Sequence, residues 1–231
     1  MTSEVAFATQ HTSLWHILAP TSERFVRQLN LNLDRYAREI SVSDDPSRRG
    51  FLNEVAFQFT KLKFNDTDTT IQDASTAARR RLATLERELH GAIDDPSGVE
   101  ISTVGAIQES LLNFVRRRSS QAAKVTFEPN FAGCGFLNPC VGDLLIGHEL
   151  YEVKAGDRRF RSTDLRQLIT YCALNYAAGT CTITKAGCVN PRRGTYFVLE
   201  LDAIAYAMAG KSSSELFSDI IYHVSSGGVS R

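Results

Sequence analysis

The stretch from Gly142 to Tyr171, GDLLIGHELYEVKAGDRRFRSTDLRQLITY, constrains this chain more than any other. Two short apolar runs meet at Gly147-His148. Asp143 opens the first run, and the second ends in Glu152-Val153-Lys154. Residues 143–146 and 148–155 read as two strands of a hairpin, rich in Leu, Ile, Tyr and Val and bounded by glycine. Side chains alternate along a strand, so Leu150, Glu152 and Lys154 share one face while Tyr151 and Val153 take the other. Antiparallel pairing of the two runs brings Asp143 to Glu152. Two carboxylates in one place repel unless a cation lies between them, and a hard cation such as Mg2+ suits oxygen ligands of this kind. An ammonium beside them, Lys154, is placed to neutralise charge that builds up on a phosphate.

A basic loop follows, and then a helix. Ser162 or Thr163 can cap that helix, and Asp164 favours its first turn. Gln167 and Tyr171 are four apart and so lie on one helical face. Arg158, Arg159, Arg161 and Arg166 read as a phosphate-gripping edge beside the acids, against the plainer reading of a solvated charged loop. Phe160 reads as the residue that packs the loop down.

An isolated Glu-x-Lys is weak evidence, since on the order of one arises by chance in a chain of ordinary composition. Here it is the single instance, and it stands in a longer pattern: acid at a strand start, Glu-x-Lys at a strand end, basic loop, then Gln-x-x-x-Tyr on a helix. That joint pattern resembles the PD-(D/E)xK nuclease superfamily, including the Q-x-x-x-Y motif of its exonuclease-like branches. Gly142 stands where the signature often has proline. The resemblance covers the last half of the chain and leaves the first hundred residues unexplained. It implies a restriction-endonuclease-like α/β fold, a central mixed β-sheet flanked by helices, and hydrolysis of phosphodiester bonds in DNA with Mg2+ or Mn2+. Asp143 and Glu152 would hold the metal, joined by the backbone carbonyl of Val153, with Lys154, Gln167 and Tyr171 completing the catalytic set. A glutamate from the helix before the sheet often joins such clusters. Glu109 on the helix expected over 103–119 is the candidate, set against an equally plain reading as a solvated residue, and Glu54 on an earlier helix is a weaker rival. RNA is not excluded by the residues. Family habit extends the expectation to restriction or antiphage defence, to endonuclease action, and to targeting through a homodimer or a partner protein such as a helicase. The alternative is a non-catalytic nucleic-acid-binding or assembly subunit of a larger DNA-processing complex.

Net charge is zero over the whole chain, which excludes a bulk electrostatic pull toward nucleic acid. Residues 101–231, however, carry 14 Lys and Arg against 11 Asp and Glu, so the half with the motif is the basic half. Five cysteines form no C-x-x-C pair and no zinc pattern, which points to reduced, buried thiols and a cytoplasmic protein. The N-terminus has no signal-peptide pattern, and no apolar run of about twenty residues predicts a membrane span.

The first 98 residues read as a helical region and residues 99–231 as the nuclease-like core, with the boundary at the breakers Gly91, Asp94-Asp95-Pro96 and Gly98. The expected helices are a short one around Trp15 and Leu18, one from residues 21–22 to Ile40, one opened by Asp45-Pro46, and one from Ile71 to His90 through Leu82, Leu85 and Leu89. Arg79-Arg80-Arg81 and Arg116-Arg117-Arg118 wrap their helices and read as solvated surface. After Asn175 the pattern predicts strands over 180–189 and 195–201, split by the turn at Asn190 to Gly194, and then two helices over 202–209 and 215–224.

Overall fold

The computed structural model describes residues 1–40, 45–65, 68–84, 94–119 and 123–226. Three short helices come first, α1 (Glu4–Gln10), α2 (Thr12–Leu18) and α3 (Ser22–Leu29), followed by a two-residue strand, β1 (Asp34–Arg35). Three longer helices follow, α4 (Arg49–Asn65), α5 (Ile71–Thr84) and α6 (Val99–Arg118). The remainder is β2 (Val125–Phe127), β3 (Asn130–Phe131), β4 (Cys140–Val141), β5 (Leu144–Ile146), β6 (Glu149–Val153), α7 (Ser162–Ala178), β7 (Lys185–Asn190), β8 (Thr195–Glu200), α8 (Leu201–Ala209) and α9 (Ser213–Ser225).

Six strands form one sheet in the order β1-β8-β7-β6-β5-β2, and β3 pairs with β4 in a small separate ladder. β6 and β7 run parallel, connected through α7, while the other pairs of the large sheet are antiparallel. The chain is therefore α/β with a mixed sheet, as the pattern predicts. Alternation along the strands sorts side chains onto two faces. Leu144, Ile146, Tyr151 and Val189 pack with Phe57 of α4 and with Leu111, Phe114 and Val115 of α6. Leu145, Leu150, Ala186 and Cys188 pack with Leu165, Leu168 and Ile169 of α7 and with Ile204, Leu216 and Ile220 of α8 and α9. Helices thus cover both faces, and the site lies where β5, β6 and α7 meet.

The sequence reading is corrected in three places. The helix expected to run to Ile40 stops at Leu29, because asparagine amides take over its last carbonyls: Asn30 Nδ2 donates to Val26 O at 2.8 Å and Asn32 Nδ2 to Gln28 O at 3.1 Å. The freed chain then adds β1 to the sheet edge beside β8. The strand expected from residue 180 begins only at Lys185, since Gly179 ends α7 in the left-handed region and Asn175 gathers Thr180 and Cys181 into a turn. Phe7, Trp15 and Leu18 of the first two helices pack in the cluster built around α7. Finally, an additional helix, α1, stands before the one around Trp15. The expected continuation of α5 through Leu85 and Leu89 to His90, the break at Gly91 and the last five residues of the tail lie outside the described residues.

Candidate active site

The hairpin is built as the residues dictate. Gly147 takes φ +58° in the turn, a left-handed conformation that glycine adopts freely, and the strands pair Leu144 with Tyr151 and Leu145 with Leu150. One further step in that register sets Asp143 opposite Glu152. Asp143 Oδ2 accepts the Val153 N–H at 2.8 Å, so the aspartate is tied to the end of the neighbouring strand. The structure shows what glycine does at position 142, where the signature that the chain resembles often has proline. Its N–H donates to Pro129 O at 2.9 Å, which proline could not do, and Phe131 packs against it so closely that a Cβ would lie 2.9 Å from the ring.

Lys154 Nζ donates to Glu152 Oε1 at 2.7 Å and to Gln167 Oε1 at 2.9 Å, and Asp164 Oδ1 lies 3.9 Å away. Gln167 Nε2 in turn donates to Tyr171 Oη at 2.8 Å, and that hydroxyl reaches Glu4 Oε1 at 3.5 Å. Asp143, Glu152, Lys154, Gln167 and Tyr171 all line one cavity of about 720 Å³, walled on one side by α1 and on the other by α4 and Arg81 of α5. The five residues expected in the catalytic set are brought together.

Glu152 is 4 % exposed, and its Oε2 is buried without a hydrogen-bond partner. Burial, then the charge of Asp143, raises its carboxyl well above the ordinary value, against the pull of Lys154. Burial works against the Lys154 charge as well, but the carboxylates of Glu152, Asp164 and Asp143 outweigh it and hold the ammonium above its ordinary range. That direction suits Lys154 to donating hydrogen bonds and stabilising negative charge.

Asp143 has a cationic partner, Arg81, that the sequence pattern marks as solvated surface. Arg81 is only 14 % exposed and sets one guanidinium among three carboxylates, with Asp143 Oδ1 at 3.2 Å, Glu54 Oε1 at 3.4 Å and a close ion pair to Glu128. Glu54, the weaker rival in the sequence, lines the cavity, and burial raises its carboxyl above the usual range. Glu109 is corrected: it lies on the exposed side of α6, away from the cavity, because the apolar stripe of Ile107, Leu111 and Phe114 turns the other side of that helix to the core. A usable signal was present in Glu54-x-x-x-Gln58, since Gln58 Nε2 bridges Glu54 Oε1 at 2.9 Å to Glu128 Oε1 at 2.8 Å. Glu4 and Arg81 carried no pattern that marked them.

The basic loop divides. Arg158 lines the cavity and forms two hydrogen bonds to Asp164, at 2.6 and 2.7 Å, and Arg161 lines the cavity mouth. Arg159 is exposed and outside the cavity lining. Arg166 is corrected as a phosphate contact. It is 4 % exposed and turned from the cavity, over the Trp15 ring and within 3.7 Å of Glu23, because one residue along a helix from Gln167 rotates the side chain by about 100°. Phe160 packs the loop down as expected, edge-on to Phe197, and Asn30 holds its peptide from both sides. Asp164 rather than Ser162 or Thr163 caps α7, accepting the Arg161 N–H at 2.9 Å, while the Ser162 hydroxyl donates to Glu23.

Among the described residues, no group of three or more His, Cys, Asp and Glu side chains is gathered to hold a metal ion. The donor chemistry nevertheless fits a hard divalent cation: Glu152 keeps a buried carboxylate oxygen without a partner, and the charge of Asp143 works against its ionisation. The five cysteines form no disulfide, and among the described residues no helix is long and apolar enough to cross a membrane. Comparison of the chain with family models, with curated proteins and with solved structures finds no match to any of them.

Proposed function

We propose that this protein is a Mg2+- or Mn2+-dependent deoxyribonuclease with a restriction-endonuclease-like core, acting as an endonuclease. The observation that carries this reading is the convergence of Asp143, Glu152, Lys154 and Gln167 in one cavity at the end of the β5–β6 hairpin. Asp143, Glu152 and the carbonyl of Val153 would hold the metal, with Glu54 in the place first considered for Glu109. A bound divalent ion supplies charge neutralisation and activation of water at a phosphodiester. The chain's own residues do the rest. Glu152 and Gln167 fix the Lys154 ammonium in one position, where it stabilises charge on the attacked phosphate. Tyr171 accepts from the Gln167 amide and so sets which end of that amide faces Lys154. Arg161, and Arg158 once drawn from Asp164, present guanidinium groups to the nucleic-acid backbone at the cavity mouth.

The test is cleavage of plasmid DNA with Mg2+ or Mn2+. Activity present in the wild type and lost in Lys154→Ala and Asp143→Ala, with melting temperatures retained, supports the reading; equal cleavage by all three sinks it. The pairing of Asp143 with Arg81 favours a second reading, a non-catalytic nucleic-acid-binding or assembly subunit. Salt-dependent DNA binding with no cleavage under either metal would select it. Roles in restriction or antiphage defence in the cytoplasm, and action as a homodimer or beside a helicase, belong to the same proposal and rest on the resemblance alone.

A further inference from the structure

Arg81 is oddly placed for a residue in a surface arginine run. It sits in the last turn of α5, stacked over the Phe57 ring with 5.4 Å between guanidinium and ring centre. Glu54 comes to it from α4, Glu128 from the turn between β2 and β3, and Asp143 from the head of β5. Glu128 adopts φ +56°, the single non-glycine residue with positive φ among those described, and its N–H donates to the Asp143 carbonyl at 2.9 Å. A backbone strained by on the order of 1 kcal/mol is thus maintained where a carboxylate meets this arginine. Glu128 is held from its other side by Gln58 and Lys61.

Asp143 consequently has both oxygens engaged, Oδ1 by Arg81 and Oδ2 by the Val153 N–H. Glu152, a residue of the same cluster, keeps a buried oxygen with no partner. One acid of the pair is satisfied by an internal cation and the other is left half satisfied. We propose that Arg81 is a built-in competitor of the divalent ion: its guanidinium holds Asp143 until the metal displaces it, and Glu128 retains it afterwards. This inference rests on the metal-centre reading given above. It makes the affinity of the site for metal a property tuned by α5, an element outside the hairpin and α7 that carry the motif.

The experiment is a Mn2+ titration of the full chain by calorimetry, without DNA, on the wild type, Arg81→Gln, and the double variant Arg81→Gln/Glu128→Gln. The double variant removes one charge of each sign, so its net charge is that of the wild type, and it spares Glu128 the loss of one of its two cationic partners if the single variant folds poorly. Thermal melts confirm the fold. Both variants are expected to bind Mn2+ about tenfold tighter or more, the scale of removing one cation from a partly buried carboxylate. Equal or weaker binding in the variants, with clear binding by the wild type, overturns the role of Arg81 and leaves the metal centre standing. No Mn2+ binding by any of the three overturns both.

Discussion

Lys154 and Gln167 are joined by a hydrogen bond of 2.9 Å that spans from the end of β6 to the second turn of α7. The same ammonium is held by Glu152 at 2.7 Å, so strand and helix fix it from two directions. If the lysine acts on a phosphate, its position depends on the glutamine even though the glutamine touches no reacting atom. Gln167→Ala is expected to lower kcat for DNA cleavage by about 10- to 100-fold, the scale of a displacement near 1 Å, with little change in DNA affinity. Gln167→Asn, whose amide is one methylene shorter, should fall between. Single-turnover cleavage and binding measured separately decide this. A loss confined to binding would show that Gln167 is a substrate contact.

This relationship also shows what the sequence could carry. Periodicity of two placed Glu152 and Lys154 on one face, and four-residue spacing placed Gln167 with Tyr171; both are local rules, and the geometry obeys them. Arg81 and Glu4 reach the cavity only because α5 and α1 pack there, and no local spacing encodes that. Glu109 failed for a related reason. Its helix and apolar stripe were legible, but which helix would bring a glutamate to the hairpin was a matter of packing, and α4 does so with Glu54. Arg166 shows the sharpest form of the problem, since one residue of offset from Gln167 moved a guanidinium from the cavity to the Trp15 ring.

Glu152 gives a pH signature. Burial, then Asp143, pushes its carboxyl up to about 8 in the folded chain, from 4.5 as the ordinary value. A carboxyl that binds its proton more tightly when folded stabilises the fold fully below the unfolded value and loses that contribution as pH rises toward the folded one. Lys154, raised as well, contributes below its ordinary value of 10.5 and so is constant across this window. The metal-free melting temperature should therefore fall between about pH 4.5 and 8, and Glu152→Gln should flatten that fall. Bound Mn2+ should oppose it, because the ion requires the deprotonated carboxylate, so Mn2+ affinity should rise with pH over the same range. An identical slope in the wild type and Glu152→Gln would rule out Glu152 as the titrating group.

The requirement for glycine at position 142 can be tested as stability alone. Gly142→Pro removes the N–H that Pro129 O accepts and forces a ring against Phe131. A loss of about 1–3 kcal/mol is expected from the unsatisfied carbonyl, more if the ring displaces Phe131. Urea unfolding of the variant measures it. A neutral or stabilising result would mean that the segment before Asp143 relaxes and that glycine is not required there.

The division of the basic loop separates two arginines that the sequence treats alike. Arg161 is exposed at the cavity mouth, whereas Arg166 is buried over Trp15 beside Ser22 and Glu23. Arg161→Ala should weaken DNA binding and reduce the slope of log affinity against log salt by about one, the mark of one lost phosphate contact. Arg166→Ala should leave that slope unchanged and instead lower the melting temperature, since it removes packing against Trp15 and leaves Glu23 without this cation. Because Glu23 is 56 % exposed, the ion pair itself contributes little, and the expected loss comes from the buried stem and the ring contact. Fluorescence-anisotropy titrations at several salt concentrations, paired with thermal melts, distinguish the two. A reduced salt slope in Arg166→Ala would mean that this side chain leaves the Trp15 ring when DNA binds.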